Sequence, residues 1–161
     1  MSLPVSADRD RMELDFQLAL GTPLISIYGW SGSPVAAAYE RASELCDQLG
    51  ETERAGPTLF GLASNRIVRG QTSAAQQLAK QLHSLADRYG DPITRLLGHR
   101  AMGAALMQLG RLWQARSEFE KIMAVYDPQR DRSLAARCIT DPRASGLSFR
   151  GHPSSTTGRN A

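Results

Sequence analysis

An all-α fold, built as a stack of antiparallel helix pairs, is what this sequence predicts, and three observations carry the prediction. The composition favours helix: Ala, Leu, Gln and Arg are plentiful, Val, Ile and Thr are scarce, and aromatics make up only 6%. Glycine and proline cut the chain into blocks of helical length. The blocks also repeat. Gly50 and Gly90 stand 40 residues apart, as do Gly70 and Gly110, and on that offset Ala75 meets Ala115, Leu62 meets Met102, Leu82 meets Ile122 and Leu85 meets Val125. A fixed period of this size marks stacked helix pairs, in which neither helix buries its apolar face alone and the next pair must cover it. Residues 8 to about 140 are therefore expected to form three pairs and part of a fourth, stacked with a right-handed sense.

Each element has its own local signals. Ser6 or Asp8 is placed to cap a first helix with apolar positions Met12, Leu14, Phe16, Leu18 and Leu20, then Leu24, Ile25 and Ile27; Gly21 and Pro23 predict a kink or a break in it. Tyr28 to Gly32 reads as a loop, and Ser33-Pro34 as the N-cap and first turn of a second helix through Ala38, Ala42, Leu45, Cys46 and Leu49. Gly50 ends it. A third helix is expected from near Pro57 to Gly70, with Leu59, Leu62, Ala63, Ile67 and Val68 inward. The fourth runs from Thr72 to Tyr89, burying Ala75, Leu78, Ala79, Leu82, Leu85 and Ala86. Asp91-Pro92 caps a fifth that ends at Gly110, and a sixth runs from Leu112 to Tyr126, stopped by Asp127-Pro128. A shorter seventh is expected from Asp131 or Ser133 to Ile139, and Asp141-Pro142 has the form of one more helix start. The repeat domain is thus residues 1–141, and 142–161 is an irregular, disordered tail of Ser, Thr, Gly and Pro.

Composition also excludes. No apolar run approaches the roughly 20 residues of a membrane span, and the charged stretch Met1 to Arg11 lacks the apolar core of a secretory signal. Cys46 and Cys138 match no zinc or disulfide spacing, so a reduced, cytoplasmic protein is expected. The formal charge of +3 belongs to the tail: residues 1–128 carry 13 Lys and Arg against 14 Asp and Glu, residues 129–161 carry 6 Arg against 2 Asp. A neutral body offers no basic stripe for nucleic acid.

The unit from His99 to Pro128 is similar to the tetratricopeptide (TPR) pattern, with Met102-Gly103, Leu106, Leu109-Gly110, Ala115, Phe119 and Pro128 in place. Gly103 and Ala115 are small where two antiparallel helices cross closely, Phe119 is expected to fill the gap to the next repeat, and Gly110 turns the chain back. The preceding unit, with Leu62-Ala63, Gly70, Ala75 and Ala79, is looser. More specifically, Tyr126 to Ala135 with Asp141-Pro142, Glu13 to Gly21, and Glu44 to Gly50 resemble the C-terminal TPR region of large bacterial proteins that join a nucleotidyl cyclase, an ATPase and helical repeats. The resemblance covers most of residues 8–149 and implies a fragment of the repeat region, without the catalytic domains. From Phe149 onward the chain departs from that pattern, as a truncation or altered reading frame would make it.

Sites of chemistry have bland readings. Lys80 and Lys121 follow no glycine-rich loop, which excludes a P-loop and leaves no cofactor expected. His83 lies beside the apolar face of the fourth helix and His99 where the repeat wants a large residue, so both read as packing; His152 in the tail has no evident partner. Cys46 reads as a buried, inert thiol, and Cys138, beside Arg137, carries no stronger claim. Glu40, Glu44, Glu118 and Glu120 read as solvated helix faces, and Met102, Met107 and Met123 as core packing. No catalytic or metal residue is expected.

The expected function is that of a non-catalytic interaction module that binds a protein or peptide, with a functionless or regulatory remnant of a cyclase–ATPase–TPR protein as the alternative. In TPR-like stacks the first helix of each pair lines the inner curve. Counted from Ala63 and Gly103, the inward positions are Phe60, Ser64, Ile67 and Val68, then Arg100, Ala104, Met107 and Gln108. Arg100 is the informative one, because its planar fork suits a carboxylate. An uncapped last pair is expected to drive self-association.

Overall fold

A computed structural model describes residues 7–125 and 127. All of its regular structure is helical: α1 (Ala7–Tyr28), α2 (Ser33–Leu49), α3 (Thr52–Val68), α4 (Thr72–Tyr89), α5 (Pro92–Gln108) and α6 (Leu112–Val125). Connections of two to four residues force consecutive helices to run antiparallel. Each helix packs on the next, and α3 also packs directly on α5. No described helix is long and apolar enough to cross a membrane. The seventh helix, the Asp141-Pro142 start, the tail, Cys138 and His152 lie outside the described residues, as does the end of the array expected to self-associate.

The turns obey one rule. Gly29, Gly50, Gly70, Gly90 and Gly110 all have φ between 65° and 72°, the left-handed conformation that only glycine adopts without strain, and one closes each of the first five helices. At the other end of α5, Asp91 accepts hydrogen bonds from the Ile93 and Thr94 amides at 3.0 and 3.2 Å, and Pro92 occupies the first turn.

Three boundaries differ from expectation. α1 is neither broken at Gly21 nor at Pro23; it continues to Tyr28 and its first residues include Asp8, which is therefore not a cap. Gly21 serves contact instead, since a Cβ there would stand 2.9 Å from the Tyr39 hydroxyl on α2. Ser33 is the first residue of α2, with Gly32 at the cap. α3 starts at Thr52, not Pro57, and carries Pro57 inside it. The amide that Pro57 lacks would have served the Glu53 carbonyl, and one residue on the Thr58 hydroxyl donates to the Arg54 carbonyl at 2.7 Å.

The core has two parts. Leu14, Ala42, Leu45 and Cys46 join α1 to α2, with Leu18 and Leu49 packed against them. A larger cluster runs through α3 to α6 and holds Phe60, Ala63, Ala79, Leu82, Leu96, Leu97, Phe119 and Ile122 among others. The 40-residue offset holds in burial: Ala75 and Ala115 are both sealed, and so are Leu82 and Ile122. Gly103 is small for the reason expected, but the ring it admits is Phe119 of its own helix pair; a Cβ at Gly103 would lie 2.8 Å from that ring. Phe119 thus fills a space inside its repeat.

Several apolar residues face outward. Met12, Phe16 and Ile27 of α1 are exposed, as are Val68 and Met107. At 100° per residue the alternating set in α1 splits into two opposite stripes, Leu14 and Leu18 on one and Met12 and Phe16 on the other. Only the first meets α2. Ion pairs finish the docking of α1: Arg41 donates to both Glu13 oxygens at 2.6 and 3.0 Å, and Arg54 of α3 pairs with Asp15.

Candidate functional site

A cleft of about 320 Å³ opens where α3 packs beside α5. Phe60, Ser64, Ile67 and Val68 supply its α3 wall, which follows helical spacing, and Arg100, Ala101 and Ala104 supply the α5 wall. Trp30, from the turn between α1 and α2, closes one side. Six of the eight residues expected on the inner face therefore line one cleft.

Side-chain contacts brace the walls of the cleft. Asn65, fully buried in α3, donates to the Trp30 carbonyl at 2.6 Å and the Gly32 carbonyl at 3.3 Å, which fastens the Trp30 turn to the wall. The Arg100 guanidinium lies 5.1 Å from the centre of the Phe60 ring, a cation–π distance that spans the cleft from α5 to α3. Ser64 donates its hydroxyl to the Phe60 carbonyl at 2.9 Å.

The other two expected residues are elsewhere. Gln108 donates to the Ile67 carbonyl at 2.7 Å and so ties the end of α5 to the end of α3. Met107 is exposed and lines no part of the cleft. Trp30 and Ala101 were not expected. A signal for Trp30 is Asn65, a polar residue set between the apolar Leu62, Ala63 and Val68, which needs a hydrogen-bond partner when buried.

A second cleft, of about 460 Å³, lies where the start of α3, the end of α4 and the start of α5 meet, lined by Glu53, Pro57, Leu85, Tyr89 and Asp91 among others. Two of its polar side chains serve the fold: Asp91 caps α5 and also accepts from the Thr94 hydroxyl at 2.6 Å.

A third arrangement brings together residues that lie far apart along the chain. His83 of α4, His99 of α5 and Glu118 of α6 converge, half-buried, with one donor atom from each within 4.8 Å of the others. His99 Nδ1 is 2.8 Å from Glu118 Oε2, the two imidazole centres are 4.6 Å apart, and Lys121 donates to Glu118 Oε1 at 2.7 Å. Glu118 is not a solvated residue: the hydrogen bond from His99, and the weaker one from Lys121, outweigh burial and hold its carboxyl at about 2. Burial, then the neighbouring His99, pushes His83 below the ordinary histidine value. Glu40, Glu44 and Glu120 are exposed and paired with Arg66, Arg41 and Arg116. Cys46 is buried and its thiol is pushed up by that burial.

In comparison with known proteins, no family model, no curated protein and no solved structure matches this chain.

Proposed function

We propose that the chain is a non-catalytic interaction module of TPR-like, right-handed architecture, and that the cleft between α3 and α5 receives a segment of a protein or peptide partner. The observation that carries this reading is the composition of the cleft: an apolar wall of Phe60, Ile67, Val68, Ala101, Ala104 and Trp30 with one cation, Arg100, laid across it. Such a surface suits a segment that presents an apolar side chain beside a carboxylate. Direct packing of α3 on α5, the first helices of successive pairs, supports the assignment of both to one inner face.

The test is selection of peptides from a random library on the full chain, followed by binding to variants that keep the native circular dichroism spectrum. Ala104→Glu should fill the cleft with a charge and weaken the selected peptides at least tenfold. Arg100→Gln should weaken chiefly those with an acidic residue. Selected peptides that bind Ala104→Glu as tightly as the parent would place the binding surface elsewhere. The wider proposal, that this module is part of a cyclase–ATPase–TPR signalling protein, is tested by reading the coding sequence upstream for cyclase and ATPase domains.

A further inference from the structure

We propose that His83, His99 and Glu118 form a divalent transition-metal site, suited first to Zn²⁺, that clasps α4, α5 and α6 together. The three side chains come from three consecutive helices and two successive helix pairs, and a donor atom of each lies within 4.8 Å of the other two. In a tetrahedral site with bonds of about 2.0–2.1 Å the donors stand about 3.4 Å apart, so the widest gap must close by no more than about 1.4 Å. Rotation of the side chains supplies that. Two imidazoles and a carboxylate are a donor set that zinc accepts, with the fourth position left to water or to a residue of a partner.

Three features of the cluster favour a metal over a plain ion pair. Two imidazole rings from facing helices, with centres 4.6 Å apart, set two nitrogen donors side by side, which a plain carboxylate–cation pair does not need. The cluster is half-buried between packed helices, so its donors are held near one another before any ion arrives. Glu118 also has an outer partner: Lys121 binds Oε1, leaving Oε2 facing His99, which is how ligating carboxylates are usually oriented. Lys121 is half-exposed, so its ammonium can withdraw toward solvent when a dication enters. Gly98, on the helix facing α4, makes room for the His83 ligand, since a Cβ at that position would come within 3.0 Å of its ring.

The site is independent of the peptide cleft, and its test uses metal alone. The full chain, without an affinity tag and stripped with a chelator, is titrated with Co²⁺ and then Zn²⁺. The expected result is one Co²⁺ per chain, with the visible bands of a four-coordinate nitrogen–oxygen site, displaced by Zn²⁺. Zn²⁺ should also raise the thermal unfolding midpoint, increasingly with its free concentration, because it binds only the folded chain. Binding should weaken at least tenfold in His83→Ala, in His99→Gln (which keeps bulk and a hydrogen bond to Glu118) and in Glu118→Gln. It should be unchanged in Cys138→Ser and His152→Ala. No stoichiometric ion, binding that survives His83→Ala and His99→Gln, or binding lost in Cys138→Ser would each overturn the proposal.

Discussion

Phe119 stands where a side chain at Gly103 would go, so one residue's size sets the distance between α5 and α6. Gly103→Ala places a methyl group 2.8 Å from the ring and is expected to destabilise the fold by about 1–3 kcal/mol, since the surrounding core is closed and the ring must shift. Phe119→Leu alone leaves a gap and costs stability of the same order. Together the two changes should cost less than their sum, a coupling that denaturant unfolding of all four proteins would measure. Independent, additive losses would mean that the contact does not set the spacing. Asn65 offers a second case. It is buried with its amide on the Trp30 and Gly32 carbonyls, so Asn65→Ala should cost about 1–3 kcal/mol and loosen the Trp30 turn; a Trp30 fluorescence spectrum unchanged from the parent, read in a Trp113→Phe background, would contradict that. Small residues at crossings were legible in the sequence, because their spacing repeats. The convergence of His83, His99 and Glu118 was not, since each residue taken on its own helix has an ordinary packing or surface explanation and only the stacking joins them.

At the scale of the element, α1 tolerates what should have broken it. Pro23 removes an amide donor near the end of a helix of 22 residues, and the helix nonetheless runs on to Tyr28, with the buried Gly21 packed closely against Tyr39 on α2. Tertiary contact overrides local preference there, which is why the break expected from sequence is absent. Pro23→Ala should therefore stabilise the protein, by up to about 3 kcal/mol, provided the regained amide finds its carbonyl; a lower unfolding midpoint would show that Pro23 is itself needed at that position. Elsewhere the local signals agree with the contacts: α4 has the expected ends, and α5 begins at its Asp91 cap. The docking of α1 also depends on acidity. The Arg41 guanidinium, with help from Arg9, holds the Glu13 carboxyl below its ordinary value against the opposing effect of burial. The folded state therefore gives up that proton more readily than the unfolded chain. Its contribution is present in full above the ordinary value near 4.5 and is lost as pH falls through the lower folded value. Unfolding midpoints measured between about pH 6 and pH 3 should decline less in Glu13→Gln than in the parent.

Across the whole molecule, stability is unevenly shared. α1 and α2 rest on a small cluster around Leu14, Leu45 and Cys46, while α3 to α6 share a larger one. In a linear stack each element is held by its neighbours, so the smaller end should open first. Amide exchange is expected to be faster throughout α1 than in α4 and α5, and equal protection in both regions would mean the chain unfolds as one unit. The division arises from which faces meet across pairs, and that pairing is read from contacts and not from the period alone. The turns have a further consequence for how the chain can change in length. Because a left-handed glycine closes each of the first five helices at steps of about twenty residues, a segment from one such glycine to the next but one is a complete hairpin that starts and stops in the same conformation. Duplicating or deleting a stretch such as residues 51–90 would preserve chain direction and the facing of every later helix, whereas losing half of it would reverse them all. Genetic gain and loss in this chain should therefore proceed by hairpins, with single helices almost never the unit.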